Sequence, residues 1–130
     1  CATKAAIEEG IVPGGGSVYV RATDVLSGLR LTDNLDFNTG IKIVKQALLY
    51  PVKQICSNAG VSGDVVIDTV LTNSFGYDHF GYDAKRDTYG NLIKMGVIDP
   101  AKAVRVALEN AASVAGLFLT TECVIVDDIE

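Results

Sequence analysis

The chain has 130 residues, 48% of them hydrophobic and 21% charged, a length that holds one compact domain or a piece of one and excludes a multidomain machine. Eleven Lys and Arg against sixteen Asp and Glu leave a net charge of −5 and a pI near 4.7, with no basic cluster, so no nucleic-acid partner is expected. The longest apolar stretch, Ala111 to Leu119, is interrupted by Ser113 and falls short of the roughly 20 residues of a bilayer span, so no membrane helix is expected.

With no Trp, 7% aromatics and a mean hydropathy of +0.29, the apolar content is carried by Ala, Val, Ile and Leu, which favours closely packed helices. Residues 2 to 9 are helix formers ending at Gly10, which takes φ > 0 without a Cβ clash. Ile11-Val12-Pro13 is expected to be extended, because the residue before Pro avoids the α region. Gly14-Gly15-Gly16 then opens a helix in which Val18, Arg21-Ala22, Val25 and Leu29 recur at helical spacing, closed by Gly28.

Residues 31 to 39 read as a polar loop. From Thr39 a long helical pattern passes through Ile41, Val44, Leu48 and Val52 to Ile55 and ends at Gly60, with Pro51 predicting a kink or break near Leu49. Ser62-Gly63-Asp64 can cap a short helix expected to end at Asn73-Ser74. Residues 75 to 90 carry five of the nine aromatics and Gly at 76, 81 and 90, a hairpin pattern; Phe-Gly-Tyr-Asp occurs twice there, at 75 to 78 and 80 to 83. Asn91 to Met95 reads as a helical turn. Asp99 at N-cap and Pro100 at N1 then start a helix running to about Leu119, with Val104, Leu108, Ala111, Val114, Ala115 and Phe118 on its apolar face and Lys102, Arg105 and Glu109 near the other. Thr121 to Val126 is β-rich by composition.

Cys1, Cys56 and Cys123 form no CxxC or Cys/His pairing, and the single His79 is far from all three in sequence. They read as reduced thiols packed like small apolar residues, with a catalytic cysteine as the open alternative, and reduced thiols imply a reducing compartment. No Walker lysine, GxSxG or HExxH is present. The best candidate for chemistry is Gly14-Gly15-Gly16 at a helix start, where bare glycines and unpaired helical N–H groups let a ligand meet the backbone; a tight turn alone explains the same pattern. Asp99 is equally a helix cap or an acceptor for ligand hydroxyls.

Taken together, the blocks EEGIVPGGG at 8 to 16, ALxxP at 47 to 51, GYDA at 81 to 84, YGNLIKMGVIDP at 89 to 100 and AASVAGLFLTTEC at 111 to 123 have the order and approximate spacing of the group I chaperonins. The sequence resembles the C-terminal half of a GroEL-family equatorial domain over essentially all of its length. It departs from the family pattern in a shortened loop around 31 to 38, an extra aromatic turn at 75 to 80, and Asp83 where the family usually has Asn.

The resemblance implies a mainly α fold, a helical equatorial-domain fragment with a small hairpin at about 80 to 90 and a C-terminal strand at about 121 to 127 that pairs with a neighbouring subunit. Residues 1 to 130 would be one partial ATP-binding domain, truncated at both ends, and the start at Cys1 reads as mid-helix. The family's nucleotide pocket implies that Gly14 and Gly15 of the glycine turn line the adenosine side, with Gly15 and Asp99 near the ribose and Asp83, Ala84, Lys85 and Val97 near the adenine. At position 83 an ionised Asp can accept from the adenine amino group but cannot donate to a ring nitrogen as Asn can.

The phosphate loop, the metal ligand and the water-activating carboxylate of the family lie outside these 130 residues. No catalytic or metal residue is therefore expected in this chain. ATP and Mg would belong to the parent ATPase, with none held tightly by this piece, which alone is expected to be inactive. The implied partners are sister subunits, with unfolded clients and a co-chaperonin engaged through other domains, and the piece is expected to self-associate as a small oligomer. The implied location is bacterial cytosol, plastid stroma or mitochondrial matrix, with Pro13 giving a lean to the plastid type. The alternatives are a stand-alone helical interaction module without nucleotide turnover and, less supported, an unrelated nucleotide enzyme lacking a visible phosphate cradle.

Overall fold

The computed structural model describes residues 1–73 and 79–129, and of residues 122–129 the backbone alone. The elements in order are α1 (Ala2–Glu9), β1 (Ile11–Pro13), α2 (Ser17–Ser27), α3 (Leu35–Asn58), α4 (Gly63–Thr72), β2 (Phe80–Asp83), β3 (Thr88–Asn91), β4 (Ile98–Pro100) and α5 (Ala101–Ile129). The strands form two two-stranded sheets, β1 with β4 and β2 with β3. The chain divides into two units, Val12–Ile98 and the terminal segments Cys1–Ile11 with Asp99–Glu130.

In the unit Val12–Ile98 the core consists of Val20 from α2, Val52 and Cys56 from α3, Val66, Ile67 and Val70 from α4, and Tyr82 from the hairpin. On α3 the buried residues Ile41, Leu48, Val52 and Cys56 recur at intervals of seven and four, which places them on one face of a 3.6-residue helix. Its N-terminus is capped by Asn34, whose side chain accepts the Phe37 N–H at 3.1 Å, so helix begins at Leu35 inside the segment expected to be loop. The Asn side chain satisfies a helical N–H that would otherwise be unpaired.

Of the kink or break expected near Leu49, the break does not occur: α3 continues through Pro51 to Asn58. Proline removes one hydrogen bond and strains the preceding turn, but Leu48 and Val52 on either side are both buried. Packing of that stripe holds the helix where local propensity would end it. Residues 92–96 are a turn rather than a turn of helix. Residues 75–78, including the first Phe-Gly-Tyr-Asp, lie outside the described residues.

In the other unit α1 lies against α5 through their charged faces. Lys102 pairs with Glu8, and the Arg105 guanidinium holds Glu9 at 2.5 and 3.1 Å and Glu109 at 2.9 Å. The Arg105 hydrogen bond outweighs partial burial and holds the Glu9 carboxyl below its ordinary range. Because α1 covers the charged side, the apolar face read from the sequence is left uncovered: Leu108, Val114 and Phe118 are exposed.

Two expectations at the ends of α5 are corrected. Asp99 and Pro100 belong to β4 and the helix starts at Ala101, so Asp99 is not the N-cap residue, and among the described residues its carboxylate bonds no helical N–H. Residues 121–127 are helical, not a strand. A helix pairs its own backbone groups, which a lone extended segment cannot do, and Thr120 and Thr121 donate their hydroxyls to the carbonyls of Gly116 and Leu117, one turn back. Over Ala101–Thr121, α5 is also long and apolar enough by length and composition to cross a membrane, at mean hydropathy 1.2. Counting only the uninterrupted stretch hid this, although the core helix of a soluble domain has the same character.

Gly16 sits at φ +76°, and a Cβ there would lie 3.0 Å from Val52 Cγ2 and 3.3 Å from the Val52 backbone nitrogen. Gly16→Ala is therefore expected to destabilise the fold by about 1–3 kcal/mol, read as a lower urea midpoint with an unchanged slope.

Candidate functional site

The glycine turn is built from its backbone outward. The Gly14 N–H donates to Val97 O at 2.9 Å and the Gly14 carbonyl accepts the Ser17 hydroxyl at 2.8 Å. Gly15 and Gly16 both take the left-handed conformation that a side chain disfavours. A Cβ on Gly15 would stand 3.4 Å from Tyr82 O and 4.0 Å from Val97 Cγ1. The glycine turn, the hairpin and the segment ending at Val97 therefore meet. Ser17, buried directly after the glycines, was missed, although a hydroxyl residue beside a tight turn was available as a signal.

The hairpin pairs Phe80 with Asn91, Gly81 with Gly90, Tyr82 with Tyr89 and Asp83 with Thr88. The Arg21 guanidinium on α2 donates to Phe80 O at 2.8 Å and ties the hairpin to the helix that follows the glycine turn. The Tyr82 ring is buried in the core, with its hydroxyl donating to Asp87 Oδ1 at 2.6 Å. That bond, with burial, pushes the Tyr82 phenol up to about 12.

Asp83 is only 4% exposed. Its Oδ1 accepts the N–H groups of Lys85 at 3.0 Å and Arg86 at 3.3 Å, and its Oδ2 accepts Arg86 Nη1 at 2.9 Å. Burial pushes this carboxyl up, but the Arg86 guanidinium and the two backbone N–H groups together outweigh burial and hold it below the ordinary carboxylate range. Ala84 is half-buried against the core and the Lys85 side chain is exposed. Asp99 lies in the other unit, half-buried within β4.

A small apolar cleft opens beside Gly15, lined by Ser17, Val52, Cys56, Val66, Val70 and Tyr82. Cys56 is fully buried, and burial pushes its thiol up, which disfavours the reactive thiolate form. Among the described residues no group of three or more His, Cys, Asp or Glu side chains is placed to hold a metal.

Helices packed on a glycine turn and a hairpin, in this order and spacing, define a chaperonin equatorial fold. The chain belongs to the TCP-1/cpn60 chaperonin family, which it matches over residues 1–128. It is 49% identical over 124 residues to Chaperonin GroEL 2 of Cereibacter sphaeroides, a match covering 95% of this chain and 22% of that protein. The crystal structure of a group III chaperonin in the open state superposes with a TM-score of 0.80 at 28% identity, over 89% of this chain and 24% of that one. The chain thus spans about a fifth of the length of the curated relative. That relative is bacterial, and the lean to a plastid type drawn from Pro13 finds no support in it.

A carboxylate with a lowered folded pKa contributes stability that is fully present above its unfolded value, near pH 4, and lost as pH falls through the lowered value. Asp83→Asn is accordingly expected to narrow the stability difference between neutral and acid pH, compared by urea unfolding at pH 7 and at about pH 3.

Proposed function

We propose that the chain is the C-terminal half of the equatorial domain of a GroEL-type subunit, residues 1–130 forming one partial domain of a longer protein. The parent hydrolyses ATP with Mg and uses it to fold other proteins within a ring of sister subunits, meeting clients and a co-chaperonin through its other domains, in the bacterial cytosol. The single observation that carries this reading is the glycine turn pinned to Val97 and set against Tyr82 O, in a chain of this family.

The residues fit one side of a nucleotide. Bare left-handed glycines leave backbone open to a sugar, and the turn after Asp83 offers backbone groups to a base. Gly14, Gly15, Asp83, Ala84, Lys85 and Val97 are assigned to the adenosine side, and Asp99, on the resemblance alone, to the ribose hydroxyls, for which a carboxylate is a good acceptor. Mg-ATP, when bound, supplies the reactive phosphoanhydride; these residues orient its base and sugar, and neither hydrolysis nor metal binding is assigned to them.

Two results are expected. The 130-residue chain shows no micromolar, Mg-dependent ATP binding by calorimetry, because its adenosine-side contacts leave the triphosphate charge uncompensated. In the full-length protein, Asp99→Ala lowers ATP affinity without lowering helix stability, since Asp99 caps nothing, and Asp99→Ser, a poorer partner for a ribose diol, lowers it too; a Ser variant binding ATP like the wild type removes Asp99 from the site.

The uncovered apolar face of α5 supports self-association of the isolated chain as a small oligomer, since large apolar patches mark association sites. An unpaired C-terminal strand edge contributes nothing to it, residues 121–127 being helical. Size exclusion with light scattering is expected to give a mass above the 13.7 kDa monomer; a chain that stays monomeric at high concentration sinks this reading.

A further inference from the structure

We propose that Asp83 and Arg86 are positioning residues for the nucleotide: they clasp the hairpin turn so that the base meets backbone groups, and the Asp83 carboxylate does not itself contact the adenine. The proposal rests on the nucleotide reading above and departs from it in the role of one residue. Its basis is where the Asp83 lone pairs go. A carboxylate offers about four acceptor positions on two oxygens, and both oxygens are engaged inside the turn, with Lys85 N, Arg86 N and Arg86 Nη1. One position on Oδ2 is left, on a side chain that is only 4% exposed, so the carboxylate is turned to its own turn rather than to solvent.

The clasp connects to the rest of the site. Arg86 Nη1 also donates to Met95 O at 3.3 Å, joining the hairpin turn to the segment that delivers Val97. Val97 O in turn accepts the Gly14 N–H, and Val97 N donates to Leu92 O at 2.9 Å. A hydrogen-bonded route therefore runs from Asp83 through Arg86 and residues 92–97 to the glycine turn. At the far end of the turn the Tyr82 hydroxyl holds Asp87, the only non-glycine residue among those described with positive φ, at 52°. The same Tyr82 presents its carbonyl to Gly15. Removing Arg86 would leave a buried carboxylate short of its countercharge, which is costly. Replacing Asp83 by Asn keeps an acceptor for the backbone N–H groups but sets an amide donor against the Arg86 donor.

The test uses the full-length protein and two probes, ATP and purine riboside triphosphate, which lacks the 6-amino group. Affinities are measured for the wild type, Asp83→Asn, Arg86→Met, Arg86→Lys and the Asp83→Asn/Arg86→Met pair. The expected result is that each single substitution weakens both nucleotides by the same factor, about threefold to tenfold, and that the double variant recovers part of the loss. The ratio of the two affinities stays at its wild-type value throughout. Hydrogen exchange at the Lys85 and Arg86 amides quickens in Arg86→Met and less in Arg86→Lys, which reports the clasp directly.

If Asp83→Asn shifts the ratio by about tenfold, the size of a lost charged hydrogen bond, the carboxylate reads the amino group and the proposal fails. It also fails if Arg86→Met leaves both affinities and the amide exchange unchanged. A wild type that binds neither probe removes the nucleotide reading and the proposal with it, an outcome distinct from the other two.

Discussion

The contact on which the unit Val12–Ile98 depends is the close approach of Gly16 to Val52. It requires two things of one residue: a left-handed backbone and no side chain, since a Cβ would meet Val52 at 3.0 Å. Given that approach, α2 starts against the C-terminal third of α3, Val20 joins Val52 and Cys56 in one core, and the carbonyl of Tyr82 comes to lie beside Gly15. The glycines thus serve packing before any ligand is considered. In this chain the tight-turn and binding readings of a triple glycine describe the same geometry, because the backbone freed for α3 at Gly16 is continuous with the backbone left open at Gly15.

Charge is used differently in the two units. In the terminal unit, Glu8, Glu9, Lys102, Arg105 and Glu109 pair at the surface, where solvent screening leaves each pair little weight in stability and the pairs lie between α1 and α5. In the other unit, among the described residues, one carboxylate, Asp83, is buried with both oxygens hydrogen-bonded. A buried charge of this kind specifies the shape of its turn more than it adds stability, because any other turn conformation would strand it.

The regular elements were legible wherever local chemistry and packing agree. Gly10, Gly16, Gly28 and Gly60 bound helices as expected, and the hairpin followed from its alternating glycines and aromatics. Legibility failed where one term overruled another. Pro51 signals a break, but the buried stripe on both sides of it keeps α3 whole. Asn34 lay inside a stretch that polarity alone marked as loop, and its capping role depends on a hydrogen bond to Phe37 that composition does not show. Residues 121–127 have strand composition, yet strand is a property of pairs and helix is not. Of the candidate site, Gly14, Gly15, the hairpin and Val97 came from the resemblance that the ordered blocks carry, whereas Arg21, Ser17 and Arg86 act through backbone carbonyls and a neighbouring turn, and no spacing rule points to them. The resemblance placed Asp83 near a ligand; only the coordinates show its oxygens committed elsewhere.

Cys56 has no exposed surface and touches the central helices and Tyr82, while Cys1 stands in solvent. In a chain with Cys123 replaced, a water-borne alkylating reagent therefore reacts at once at Cys1 and reaches Cys56 only when the core opens. Where closing outpaces labelling, the slow rate is the intrinsic thiolate rate multiplied by the open fraction. A thiol closed off from solvent thereby becomes a built-in gauge of the fraction of molecules in which α2, α3 and α4 have come apart.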